Sequence, residues 1–210
     1  MTGRLAVRFI WSLFAAALLT IAFAVTSLTA KAPVPVQARP ASAPAAAPAP
    51  KPIDQRFVVR RILDIPGPLR MGEWHWDESG APADGPVVIT VDLEAQTLSI
   101  FRAGYEIGTS AVLYGREDKP TPLGAFPISE KQVHHVSNLY DAPMPYMQRL
   151  TNDGVTIHAS DKVQPGFATH GCVAVPTAFA KKLFGATKVG DIVIVTDGKR
   201  LGLGESIVRS

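Results

Sequence analysis

Hydrophobic and polar positions alternate most clearly between residues 86 and 102. Val87-Val88-Ile89-Thr90-Val91 is a β-branched run that begins after Pro86, and it reads as a strand. Leu93 to Gln96 is a turn region, and Thr97 to Arg102 reads as the return strand, with alternation at Leu98, Ile100 and Arg102. Tyr105 to Tyr114 adds a further β-rich stretch. Val155 to His158, Cys172 to Val175 and Asp191 to Thr196 are short runs of the same kind, bounded by Gly, Asp or Pro. Only Thr177 to Phe184 reads as a helix. Pro176-Thr177 starts it, Ala178, Phe179, Leu183 and Phe184 give it an apolar side, and Gly185 is expected to end it. Many short strands with few helices predict a mainly β domain, an antiparallel sandwich or an open barrel. No internal repeat is evident.

The pattern differs at the N-terminus. Phe9 to Ala30 is an uncharged run of 22 residues, interrupted only by Ser and Thr. As a helix it would extend about 33 Å, enough for a bilayer core. Arg4 and Arg8 precede it, which predicts a cytoplasmic N-terminus and an exported remainder. Residues 1–30 are therefore expected to be a signal anchor; a cleaved signal peptide, with Ala30-Lys31-Ala32 as its small-residue site, is the alternative. Residues 31–52 hold seven prolines and eight alanines and read as an extended linker, with a reach of about 65 Å. Residues 53–85 carry a weaker pattern and are expected to pack on the domain that follows. Trp74-His75-Trp76 is expected to cover that domain's edge rather than to stack on sugars. The catalytic candidate region spans 86–197, and 198–210 is expected to be a tail.

Composition changes two points. The net charge of +3 and the pI of about 9.1 invite a nucleic-acid reading. The charge is, however, +5 over residues 1–52 and −2 over residues 53–210. With no basic stripe and no recognition motif in the folded part, nucleic acid is not an expected partner. The chain holds one cysteine, which excludes an intrachain disulfide framework and a multi-cysteine metal site.

That cysteine sits where chemistry is expected. Val155 and Ile157 share one face of their strand, and Thr156 and His158 share the other. Val173 and Val175 likewise oppose Cys172 and Ala174. If both valine faces meet the core, His158 and Cys172 emerge on the same outer face, and residues 159–169 are long enough to let the strands lie side by side. A thiol needs such a neighbour: free cysteine, with a pKa near ~8.5, is only about 3% thiolate at pH 7. A positioned base adds about 10²–10⁴ in rate. The N–H groups around Gly171 and Cys172 are candidate oxyanion donors. Zinc at His158, His170 and Cys172 would lack a patterned fourth ligand, so neither metal nor cofactor is expected.

Thr169-His170-Gly171-Cys172-Val173, with His158 upstream, resembles the signature of the L,D-transpeptidase catalytic domain, the YkuD family. Lys119-Pro-Thr121-Pro122-Leu-Gly124-Ala-Phe126 is similar to that family's Thr-Pro-x-Gly-x-Phe segment. Pro143-Met-Pro145-Tyr146-Met-Gln-Arg149 resembles the run before the catalytic histidine strand. The resemblance covers about residues 86–197. It implies an L,D-transpeptidase-like β-sandwich with one or two short helices, here preceded by a membrane helix. It implies Cys172 as nucleophile, His158 as proton donor and acceptor oriented by the Ala159 carbonyl, His170 in support, and Gly171 as oxyanion backbone. Tyr146, Arg149, Ser160 and Thr169 are expected to bind substrate, with Arg149 on a stem carboxylate. Tyr140, Tyr146 and Met147 are expected to form a flap. His134-His135 reads as a solvated or lid-lining pair. Two departures stand out: Ala174 occupies a position where the family usually carries Arg or Asn, and the stretch from His158 to Thr169 is short for the family.

The implied activity is peptidoglycan cross-linking on the periplasmic side of the inner membrane. Cys172 would attack the carbonyl between meso-diaminopimelate and D-Ala of a tetrapeptide stem, and an amine of another stem would resolve the thioester into a 3→3 cross-link. Hydrolysis by the same pair is the alternative, as an L,D-carboxypeptidase or an enzyme detaching wall-linked proteins. A wall-binding module of weak activity is a third reading.

Overall fold

The computed structural model describes residues 57–116, 118–138 and 140–207. The expected anchor and linker lie outside the described residues. Among the described residues no helix is long and apolar enough to cross a membrane.

Among the described residues two sheets and one helix enclose the core. The chain runs through β1 (Trp74–Trp76), β2 (Val87–Asp92), β3 (Thr97–Arg102), β4 (Tyr105–Ala111), β5 (Gly124–Pro127), β6 (Glu130–Gln132), β7 (Met147–Arg149), β8 (Thr156–Ser160), β9 (Val173–Pro176), α1 (Thr177–Ala186) and β10 (Ile192–Thr196). The larger sheet has the order β1-β4-β3-β2-β10-β5 and the smaller one β6-β7-β8-β9. The β2–β3 hairpin pairs Ile89 with Ile100 and Val91 with Leu98, as the alternation requires. The expected antiparallel architecture is not kept throughout, since β8 pairs with β9, and β10 with β2, in parallel. Parallel neighbours need crossovers: residues 161–172 supply one, and the long return from β2 to β10 the other.

One face of each sheet supplies the main core. Ile89, Val91, Leu98, Ile100, Val193 and Val195 from the larger sheet meet Ile157, Val173 and Val175 from the smaller one. Helix α1 adds Phe179 and Leu183, both fully buried. Trp74 and Trp76 pack on Phe179, with ring centroids 6.1 and 5.6 Å away. Burying an aromatic ring in this way is worth about 3–5 kcal/mol against truncation to alanine. These tryptophans thus cover the domain's edge. The opposite face of the larger sheet carries a second cluster, in which Phe57 and Val59 join Val88, Phe101, Ile194 and Ile207. The segment expected to be a tail is therefore packed as far as Ile207, which is 1% exposed.

Helix α1 begins at Thr177 but does not end at Gly185; it runs through Gly185 to Ala186. Lys131 sets its end, donating from Nζ to the carbonyls of Phe184 at 2.6 Å and Thr187 at 2.5 Å. A cation there satisfies terminal carbonyls and complements the helix dipole.

Past β4 the chain crosses to the smaller sheet. Leu113 and Ala174 exchange N–H···O bonds of 2.9 Å, and Thr169 donates its N–H to the Tyr114 carbonyl at 3.1 Å. This crossing places the 113–121 segment beside the loop that precedes β9.

Candidate active site

Strands β8 and β9 place the reactive pair. His158 lies opposite Ala174 and Ile157 opposite Val173, so Cys172, one residue before β9, falls beside Thr156. Ile157 and Val173 face the core, leaving Thr156, His158, Cys172 and Ala174 on the other face. His158 and Cys172 both line one cleft of about 610 Å³.

Burial and one hydrogen bond decide the protonation of His158. Its Nδ1 lies 2.9 Å from the carbonyl oxygen of Ala159. A carbonyl only accepts, so Nδ1 carries the proton and Nε2 keeps a lone pair. Burial holds the imidazole below its ordinary value of 6.5, against the Ala159 bond, and the nearby His135 pushes in the same direction as burial. His158 is therefore a neutral base at pH 7. Cys172 is half-buried and is a free thiol. Its sulfur accepts a hydrogen bond from the Thr156 hydroxyl at 3.5 Å and donates to the Gly154 carbonyl at 3.7 Å.

The turn before the nucleophile is held by residues distant in sequence. Gly171 has a φ of +95°, which favours glycine. Thr121 donates its hydroxyl to the Gly171 carbonyl and accepts the Gly115 N–H. A Cβ on Gly115 would lie 2.2 Å from the Gly171 nitrogen, so that approach also requires glycine. Thr169 donates its hydroxyl to the Cys172 carbonyl. His170 is exposed, and its ring stacks on Tyr140 at 4.7 Å and 21°. Tyr140 and His170 both line the cleft. The tyrosine sits on a turn closed by Ser137 N–H to Ala142 O at 2.9 Å.

The structure separates the other expected site residues. Ser160 and Thr169 line the cleft, and the Ser160 hydroxyl accepts the Lys162 N–H at 3.1 Å. Tyr146 instead packs on Phe184, with centroids 5.8 Å apart, and Met147 is fully buried, so neither belongs to a flap. Arg149 is turned to Glu130 on the neighbouring strand, Nε to Oε2 at 2.7 Å, and does not face the cleft. His135 is held by Gln132 at 3.0 Å, while His134 is exposed. Ala174 is buried against Leu113 and Val163, giving the cleft an apolar wall in place of a polar group. Among the described residues no cluster of three His, Cys, Asp or Glu is placed to hold a metal. A further groove of about 590 Å³, floored by Thr90 and Ser99, lies on the far face of the larger sheet and takes no part in this arrangement.

Sequence reasoning placed Thr156 on the reactive face and Thr121 in a motif but gave neither a task, and it passed over Gly115. An isolated glycine just past a β-rich stretch is the signal for Gly115, since it marks close backbone approach.

Residues 86–195 match the family model for YkuD, the L,D-transpeptidase catalytic domain. The match covers more than half of the chain, and the chain belongs to that family. An L,D-transpeptidase from Stackebrandtia nassauensis is 27% identical, over 63% of this chain and 62% of that one, with a TM-score of 0.50. LD transpeptidase LdtMt1, solved in complex with imipenem, is 25% identical over 52% of this chain and 58% of that one, also with a TM-score of 0.50. The chain thus spans about six-tenths of the length of these solved relatives. No curated protein matches.

Proposed function

We propose that the protein is a peptidoglycan L,D-transpeptidase that acts outside the cytoplasm, held at the inner membrane by its apolar N-terminal run. The observation that carries the reading is the pairing of Cys172 with a neutral, carbonyl-oriented His158 on one face of two adjacent strands. The stem peptide's acyl side lies in the cleft. Nε2 of His158 takes the Cys172 proton, and Sγ attacks the carbonyl between meso-diaminopimelate and D-Ala. The tetrahedral oxyanion is met by backbone N–H groups at the Gly171–Cys172 turn. His158 returns the proton to the departing amine of D-Ala, and the thioester remains on Cys172. An amine of a second stem then attacks the thioester, completing a 3→3 cross-link.

The test is to incubate the full-length protein with disaccharide-tetrapeptide and read the products by mass spectrometry. A dimer that has lost D-Ala supports the proposal. Tripeptide alone means that water resolves the thioester, and the protein is then a carboxypeptidase. Unchanged substrate rejects both. Cys172→Ala abolishes product, and His158→Ala nearly does so.

A further inference from the structure

We propose that Thr156 and the Gly154 carbonyl form a resting socket for the Cys172 thiol, turned away from His158, which the sulfur must leave before it attacks. Thr156 is then a positioning residue that sets how often the nucleophile stands ready. The proposal rests on the reading of Cys172 as nucleophile and His158 as its base.

The strand register builds the socket. Ile157 pairs with Val173 and His158 with Ala174, so Cys172 falls opposite Thr156 and not opposite His158. Residues two apart on one face of a strand are separated by about 6–7 Å, and the imidazole is offset from the cysteine by one such step. Thr156 Oγ1 donates to Sγ at 3.5 Å, and Sγ donates to the Gly154 carbonyl at 3.7 Å. Gly154 and His158 lie on opposite sides of Thr156 along the chain. Among the described residues Sγ makes these two hydrogen bonds and none to His158. The thiol proton of the resting protein thus points at a backbone oxygen and not at Nε2.

Both walls of the socket are fixed. Thr156 begins β8, is paired with Arg149 of β7, and is 1% exposed. Its hydroxyl donates to Sγ alone among the described residues. Leaving the socket therefore strands a buried hydroxyl as well as breaking a bond. Gly154 stands in the turn before β8 with a φ of +102°. That turn is pinned by Leu150 N–H to the Val155 carbonyl at 2.8 Å and by Val155 N–H to the Thr151 hydroxyl at 3.0 Å. A carbonyl held in this way keeps its aim.

The socket works against the reaction. An interaction speeds a step only when it is stronger in the transition state than in the ground state. The bonds to Thr156 and Gly154 belong to the ground state. Attack requires Sγ to rotate about Cα–Cβ from one staggered position to another, toward Nε2 of His158. The thiol proton then passes to Nε2, and the electron pair left on Sγ forms the bond to the substrate's carbonyl carbon. The observed rate is the intrinsic rate reduced by the fraction of molecules in the ready rotamer.

The test uses the full-length protein. Cys172 is its single cysteine, so the infrared S–H stretching band reports on that residue alone. In wild type the band is expected at the frequency of a hydrogen-bonded thiol. Thr156→Val keeps the shape, removes the hydroxyl and is expected to shift the band. The same variant is expected to raise the limiting rate of carbapenem acylation about two- to tenfold, the equivalent of one neutral hydrogen bond. The half-saturating carbapenem concentration is expected to stay unchanged, since Thr156 does not line the cleft. Thr156→Ser is expected to fall between Thr156→Val and wild type. A merely structural role for Thr156 would lower the rate, not raise it. A wild-type band at the free-thiol position, an unshifted band in Thr156→Val, or a limiting rate that is unchanged or lower in that variant overturns the socket. Should Thr156→Val not fold, the wild-type band and the rate of Thr156→Ser decide. Failure of wild type to acylate overturns instead the reading of Cys172 as nucleophile, and the S–H band then decides the socket by itself.

Discussion

Thr121 donates its hydroxyl hydrogen to the Gly171 carbonyl at 3.0 Å, across fifty positions of sequence. The same oxygen accepts the Gly115 N–H at 2.9 Å, and Thr121 is only 3% exposed. The peptide bond between Gly171 and Cys172 is trans, as are all those among the described residues, so the Cys172 N–H points away from the carbonyl that Thr121 holds. Thr121 is thus a positioning residue: it fixes the plane that carries the nucleophile's N–H.

Thr121→Val keeps the shape and leaves two buried backbone groups without this partner. That loss is expected to lower stability by about 1–3 kcal/mol, read by chemical denaturation. Acylation of the protein that remains folded is expected to slow by about 10–10², less than the ~10²–10³ that outright removal of an oxyanion donor costs. Thr121→Ser restores the hydroxyl and most of both losses. A variant that is less stable but acylates at the wild-type rate would show that Thr121 only braces the fold.

The pH dependence follows from His158. Burial holds its folded value below 6.5, and the unfolded chain titrates near the ordinary value. Between those two values the unfolded state binds more protons, so stability rises with pH through that window. The contribution is complete above about pH 6.5 and is lost as pH falls below it. Acylation is expected to follow the same sign, with its acidic limb below pH 6.5 because the base stays neutral to lower pH. His135→Gln removes a nearby positive charge and is expected to move that limb upward. A limb at or above 6.5 in wild type would contradict the burial argument.

Much of this site was legible in the alternation alone. β-Branched runs at 87–91 and 155–158 fix which side chains face the core, and the opposite face then carries His158 and Cys172 together. Strands β5 to β7 were not legible, because three or four residues give no period to count. The aim of a long polar side chain was not legible either. Arg149 faces Glu130 because of the β6–β7 register, and no spacing in the sequence reveals that register. Tyr146 was misplaced for a related reason: its φ of +56° turns the chain so that its ring meets Phe184 of the helix.

The stacked rings of Tyr140 and His170 both line the cleft. Such ring pairs are worth about 0.5–1.5 kcal/mol beyond their buried area. A double-mutant cycle of Tyr140→Ala and His170→Ala, read as the acylation efficiency with a carbapenem, is expected to give a coupling of that size. Each single variant should lose roughly two- to tenfold, while thermal stability stays near wild type because both rings are exposed. Strictly additive losses would mean that the two rings act separately on the ligand.

The end of α1 gives a prediction that touches stability alone. Lys131 donates to the carbonyls of Phe184 and Thr187 and to the Thr187 hydroxyl, and it lies 4.2 Å from the Phe184 ring centroid. Desolvation lowers its pKa, and the charge of Asp191 opposes that shift. Lys131→Met preserves the stem and removes the donors, so the terminal carbonyls of α1 lose their cation. A cost of about 1–3 kcal/mol is expected, seen as a fall in Tm of roughly 2–10 °C. Lys131 does not line the cleft, so the acylation rate of the folded protein should change by less than about twofold, a difference below ~0.5 kcal/mol. Gly185→Ala, by contrast, should leave Tm equal or higher. Gly185 lies inside the helix with open space around it, and alanine is favoured there by about 1 kcal/mol. A marked fall for Gly185→Ala, with none for Lys131→Met, would return the role of terminator to the glycine.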